Sequence, residues 1–180
     1  MSSEERTIKS DQIYEGRILA LRVDTVELPN QKYSKREIVD HVGAVGVVAI
    51  NDKGELALIR QYRKAVEKSL LEIPAGLVDP NEEPGMAAKR ELKEETGYAC
   101  EKVEFMTEFY PSPGFSTEKI HLFMAKGLKM EEPDPDETEF LELVHMPYEE
   151  ALRRVKLGEF TDAKTILAIL IAQDFMEEKR

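Results

Sequence analysis

One cysteine, Cys100, stands in 180 residues, so no disulfide can form within the chain and no zinc site can rest on two of its own thiolates. Such a chain suits a reducing compartment. Basic charge is also scarce: 25 Lys and Arg face 36 Asp and Glu, a formal net charge of −11. Affinity for a nucleic-acid backbone needs clustered cations that release counterions, so nucleic acid is not an expected partner. Long apolar runs are missing. The longest, Ile166 to Ala172, falls far short of the ~20 residues that cross a bilayer, and no membrane partner is expected. Met1 to Gln12 is polar and charged with no apolar core behind it, which points away from secretion and towards the cytoplasm. The chain has no internal repeat, Gly-rich dinucleotide fingerprint, Walker loop or Ser nucleophile elbow. His41, His121 and His145 are scattered and read as ordinary strand or surface residues, and Cys100 as a small buried one.

Apolar residues make up 42% of the chain, enough for the core of one domain. Residues 17–28 alternate, with Leu19, Leu21 and Val23 on one face and Arg22 and Asp24 on the other. Two β-branched runs, Val45–Ile50 and Glu55–Tyr62, flank Asn51-Asp-Lys-Gly54, and this turn signal predicts an antiparallel hairpin. Leu70, Leu71 and Ile73 form a short apolar piece before Pro74, and 76–85 reads as a loop of functional length. Residues 86–96 predict a helix stopped by Gly97. Strands are expected at 102–110, 119–128 and 140–146, with an acidic, proline-bearing surface loop at Glu131 to Glu139. Two helices close the chain, Tyr148–Leu157 and Asp162–Glu177, the second with Ala163, Ile166, Leu167, Leu170 and Ile171 as its apolar face. Mixed strands with few helices give an α+β domain.

Chemistry concentrates between Ala75 and Gly97. Glu91, Glu94 and Glu95, three and four residues apart, fall on one helical face, where they repel one another by a few tenths of a kcal/mol per pair. A divalent cation would reverse that repulsion. Taken alone, the glutamates favour the plainer reading of a solvated acidic face screened by Arg90 and Lys93.

The wider spacing decides between them. Gly76, five residues, Glu82, seven residues, Arg90-Glu91-Leu92, one residue, Glu94-Glu95, one residue and Gly97 resembles the Nudix hydrolase signature at every fixed position. Tyr98 departs from it, standing where the family usually has an aliphatic residue. The resemblance implies a Nudix α/β/α sandwich with a mixed sheet at 46–180, preceded at 1–45 by antiparallel strands that serve dimerisation and substrate cover without forming an independent domain. It further implies hydrolysis of a nucleoside diphosphate linked to another moiety, with Mg²⁺ or Mn²⁺ as cofactor. Glu91 and Glu95 would hold the metal with the backbone carbonyl of Ala75, and Glu94 lies beside them. Hard oxygen ligands suit those ions, which neutralise a pyrophosphate and lower the pKa of water. Gly76, Glu82, Arg90 and Gly97 take structural roles in the motif.

Tyr110-Pro-Ser-Pro-Gly-Phe-Ser-Thr-Glu118, with Pro113 fifteen residues beyond Tyr98, resembles the marker loop of the ADP-ribose pyrophosphatase subfamily. That likeness makes Pro113 a substrate contact and Glu118 the base or water-orienting group, with Glu94 as rival for the role. Arg36 and Arg63 resemble the subfamily's substrate arginines, whose planar fork suits phosphate. The family's adenine-stacking aromatic is missing near Arg17 and Ile18, with Tyr14 as the nearby substitute. The expected activity is conversion of ADP-ribose and water to AMP and ribose 5-phosphate by a homodimer with exchanged N-terminal strands. Two alternatives stay open: hydrolysis of another ADP-sugar or nucleotide sugar, and a non-catalytic ADP-ribose sensor.

Overall fold

The computed structural model describes residues 3–131 and 140–176. The predicted acidic loop lies, apart from Glu131, outside the described residues. Internal contacts divide the chain into two units, one reaching to Gly43 and including Tyr110–Lys119, the other comprising Ala44–Phe109 and the chain from Ile120 on.

The first unit holds a three-stranded antiparallel sheet in the order β1-β2-β3, with β1 at Arg6–Glu15, β2 at Leu19–Glu27 and β3 at Tyr33–His41. Strand β1 arises from a polar stretch without apolar alternation, and its register against β2 slips at Thr7/Lys9 and Gln12/Tyr14. Backbone pairing defines this strand, since nine of its ten residues are exposed. The Tyr110–Lys119 segment is fastened to β3: the Val39 N–H donates to the Phe115 carbonyl (2.8 Å) and the Thr117 N–H to the Val39 carbonyl (3.0 Å).

The second unit runs β4 (Ala44–Ala49), β5 (Glu55–Arg63), β6 (Lys68–Glu72), β7 (Ala75–Leu77), α1 (Pro84–Thr96), β8 (Tyr98–Phe109), β9 (Ile120–Met130), β10 (Glu142–Pro147), α2 (Tyr148–Lys156) and α3 (Ala163–Met176). A mixed sheet has the order β7-β4-β9-β8, with β4 and β9 parallel, and a second sheet has the order β10-β5-β6. Strand β4 is buried on both sides. Val45, Val47 and Ala49 pack with Ala87, Ala88 and Leu92 of α1, while Val48 packs with Ala168, Ile169 and Ala172 of α3. Helices thus cover both faces, and the α+β sandwich with N-terminal antiparallel strands is the observed architecture.

Two local expectations need correction. The Asn51–Gly54 turn forms, with the Gly54 N–H on the Asn51 carbonyl (2.9 Å), but β4 and β5 join different sheets and share only the bridge Ile50↔Leu56. A strand covered by helices on both faces pairs with β7 and β9 as a central strand, and the turn becomes a corner between sheets. On α3 the most deeply buried residues are Thr165, Ala168, Ile169 and Ala172, and Leu170 of the predicted face is exposed. Small side chains let the helix approach the sheet closely. Thr165 tolerates burial because its hydroxyl oxygen accepts the Ile73 N–H at 2.9 Å.

Candidate active site

Strand β7 and helix α1 build the site together. Pro84 occupies the first turn of α1, where its missing N–H costs nothing, and Gly97 ends the helix at φ 73°, donating its N–H to the Lys93 carbonyl at 2.8 Å. Between these ends the glutamates separate by role. Glu95 accepts the Ala75 N–H at 2.9 Å. The Glu91 carboxylate lies directly over Gly76: a Cβ built there would fall 2.0 Å from the Glu91 Cδ, so only glycine admits this approach. Glu94 pairs with Arg90 at 3.1 Å and stays partly exposed.

Arg90 ties the loop to the helix. Its Nε and Nη2 donate to the two Glu82 oxygens at 3.1 and 2.9 Å, Nη2 also to the Leu77 carbonyl at 3.0 Å, and Nη1 to Glu91 at 2.7 Å. These bonds, that to Glu82 first, hold the guanidinium charged, and the same contact lowers the Glu82 carboxyl below its ordinary value. The Asp79 N–H closes the loop onto Glu82 at 3.1 Å.

Among the described residues no three His, Cys, Asp or Glu side chains gather at metal-holding distance. The corner nevertheless presents two carboxylates, Glu91 and Glu95, against the backbone of Ala75 and Gly76. A donor set of hard oxygens packed where no side chain fits is suited to Mg²⁺ or Mn²⁺.

Other predicted residues lie elsewhere in their units. Arg63 donates from Nε and Nη2 to the two oxygens of Glu72, both at 2.8 Å, and Glu95 adds to the field on its charge. Arg60, three residues before Arg63 on β5 and not among the predicted residues, pairs with Glu142 of β10 at 3.1 Å. In the N-terminal unit, Arg36 forks onto Glu5 at 2.8 and 2.6 Å and reaches the Ser34 hydroxyl at 2.8 Å. Pro113 is exposed, and Glu118 donates its backbone N–H to the Ser116 hydroxyl at 3.1 Å. Tyr14 is exposed and its ring occupies the space beside Gly16. The histidines each have a local contact: His41 with the Val42 carbonyl, His121 with Glu108 and His145 with the Tyr98 hydroxyl.

The sequence reading missed a buried cluster beside this corner. Glu72, 2% exposed, receives Lys164 as well as Arg63, and Lys164 bonds Asp162 at 3.0 Å. Burial pushes the Glu72 carboxyl up, and the two cations outweigh it and hold it below its ordinary value. Two local signals existed: an aspartate just before an apolar helix, and a lone carboxylate among Leu70, Leu71 and Ile73.

Family models match nearly the whole described chain. The NUDIX domain covers residues 40–168, so the Gly76–Gly97 motif lies inside it on the β7–α1 corner. The chain belongs to the Nudix family. Residues 5–39 match the nucleoside diphosphate sugar hydrolase N-terminal domain. Among similar proteins, a methanol dehydrogenase activator of Bacillus methanolicus is 49% identical over 94% of this chain and 93% of its own. An ADP-ribose pyrophosphatase of Bacillus subtilis (strain 168) is 47% identical over 96% and 94%. A solved structure described as an ADP compounds hydrolase superposes with a TM-score of 0.87 at 25% identity, covering 98% of this chain and 96% of that one.

Proposed function

We propose that this Nudix enzyme hydrolyses the pyrophosphate bond of ADP-ribose, giving AMP and ribose 5-phosphate. The reading is carried by near full-length likeness to an ADP-ribose pyrophosphatase, 47% identical over 96% of the chain. It is supported by the glutamates Glu91 and Glu95 set against Ala75 and Gly76. Mg²⁺ or Mn²⁺ would be held by Glu91, Glu95 and the Ala75 carbonyl, and supplies charge neutralisation at the phosphate oxygens and a more acidic water. Arg63 and Arg36 bind phosphate oxygens, and Pro113 shapes the loop against the substrate. Glu118 takes the proton of the attacking water as one P–O bond of the bridge breaks, with Glu94 as the competing base. Gly76, Glu82, Arg90 and Gly97 keep loop and helix in register.

The N-terminal strands, residues 1–45, pair two copies into a homodimer and cover the partner copy's site, so that Arg36 acts on the other subunit's substrate. The enzyme works in the cytoplasm. A monomer with full activity in sedimentation would refute the exchange. Hydrolysis of another nucleotide sugar is the second reading, favoured by the match of residues 5–39 to a nucleoside diphosphate sugar hydrolase domain. Turnover of a nucleotide-sugar panel in ¹⁸O-labelled water separates the two and locates the attacked phosphorus. ADP-ribose should have the highest kcat/KM, and a tenfold preference for another sugar nucleotide would overturn the first reading.

A further inference from the structure

We propose that Lys164 and Glu72 are a positioning pair that presents the Arg63 guanidinium to a phosphate group of the substrate, which makes the start of α3 a determinant of substrate affinity. This inference rests on Arg63 as a phosphate ligand. Glu72 is 2% exposed and grips Arg63 by Nε and Nη2, both at 2.8 Å. Among the described residues nothing accepts from Arg63 Nη1, and the Arg63 side chain is 40% exposed. A bidentate grip fixes the plane of a guanidinium and leaves its free edge aimed in one direction. Glu95 also adds to the field that holds the Arg63 guanidinium charged.

Lys164 makes this grip compatible with substrate. It bonds Glu72 and is held by one Asp162 oxygen at 3.0 Å, while the other Asp162 oxygen accepts the Thr165 N–H at 3.0 Å and its hydroxyl at 2.5 Å. The Thr165 hydroxyl oxygen in turn accepts the Ile73 N–H, two residues before Ala75. Two cations and two carboxylates therefore balance around the buried Glu72. Exchanging buried ion pairs for apolar groups often leaves stability unchanged or raised, so stability alone gives no reason for a carboxylate buried as deeply as Glu72. Orientation does. Without Lys164 the buried Glu72 charge has Arg63 as its sole cation, and a phosphate must compete with Glu72 for the same guanidinium.

The test is a double-mutant cycle on the full chain. Lys164→Met should raise the KM for ADP-ribose about tenfold, the scale of one charged hydrogen bond, while kcat changes less than about twofold. In an Arg63→Ala background the same change should add nothing, because the effect travels through Arg63. Lys164→Arg, which restores the charge, should recover most of the affinity. Should the methionine variant fail to fold by thermal melting, Lys164→Gln carries the same expectation, since it keeps a donor for Glu72 without the charge. An unchanged KM in a folded variant, or losses that add in the Arg63→Ala background, would overturn the proposal. If the wild type does not hydrolyse ADP-ribose, the substrate reading falls by itself. Calorimetric binding of inorganic pyrophosphate, with divalent ions chelated, then decides the pair: coupled weakening supports it, and additive or absent weakening overturns it.

Discussion

Two acidic clusters flank the same short stretch of chain, Glu72 to Leu77, and they are neutralised differently. On the α1 side one arginine, Arg90, serves three glutamates, Glu82, Glu91 and Glu94. On the α3 side two cations, Arg63 and Lys164, serve two carboxylates, Glu72 and Asp162. The difference teaches how one backbone segment can be prepared for a cation and held still at once. Carboxylates in excess make a place for an ion to arrive. Matched charges gathered around a buried carboxylate fix geometry instead.

The contrast breaks most severely at Glu95. Glu95→Gln keeps the size and removes the charge, so turnover should fall by at least ~10²-fold, beyond the roughly 10–100-fold that residues behind a metal ligand typically cost. The melting temperature should stay level or rise as repulsion on α1 is relieved. Steady-state kinetics at saturating Mg²⁺ with Mn²⁺ titration measure the first part, and unchanged turnover would return the helix to a solvated acidic face.

On the balanced side the expected loss is of stability. Glu72→Gln removes the buried carboxylate that Lys164 and Arg63 share, and breaking a buried pair typically costs about 3–5 kcal/mol. Its pH dependence has a definite sign. The Glu72 carboxyl lies below its ordinary value in the folded chain, so its stabilisation is complete above the unfolded value of about 4.3 and is lost as pH falls through the lower folded value. The gap in melting temperature between wild type and Glu72→Gln should therefore be widest near neutrality and shrink below about pH 4.3. A gap that widens on acidification would contradict the assignment.

The smallest effect sharpens the comparison from outside. Lys93 and Glu131 pair at 2.7 Å, both about half exposed. Lys93→Gln should change stability by less than about 1 kcal/mol, and added salt should erase even that. A loss comparable to that of Glu72→Gln would show that burial does not separate these clusters.

The α1 corner was legible because its residues are close in sequence: a helix repeats every 3.6 residues, so Glu91, Glu94 and Glu95 declare their common face by spacing alone. The α3 cluster was not, since Glu72 and Lys164 are 92 residues apart and neither carries a local mark of the other. The same distinction explains the misplaced hairpin. The turn at Asn51–Gly54 is a local fact and formed, whereas the partners of β4 are set by Leu77 and Ile120, far along the chain. For α3, periodicity identified an apolar helix but could not rank its faces, because every residue from Ile166 to Ala172 is apolar and the deciding contact is the hydroxyl of Thr165.

Gly46 shows how little room is left on the α3 face of the central strand. A methyl group there would meet the tips of Ile73 and Leu122, each at 2.8 Å. Ile73 is already pinned through its N–H by Thr165, and the carbonyl of the next residue, Pro74, accepts the Val47 N–H at 2.9 Å. A substitution at 46 would thus have to turn the tips of two fully buried side chains within the core, because the Ile73 backbone itself is held in place. The protein's tolerance for sequence drift is therefore narrow at a position with no charge and no chemistry of its own, and a screen for impaired variants should recover Gly46 beside the glutamates.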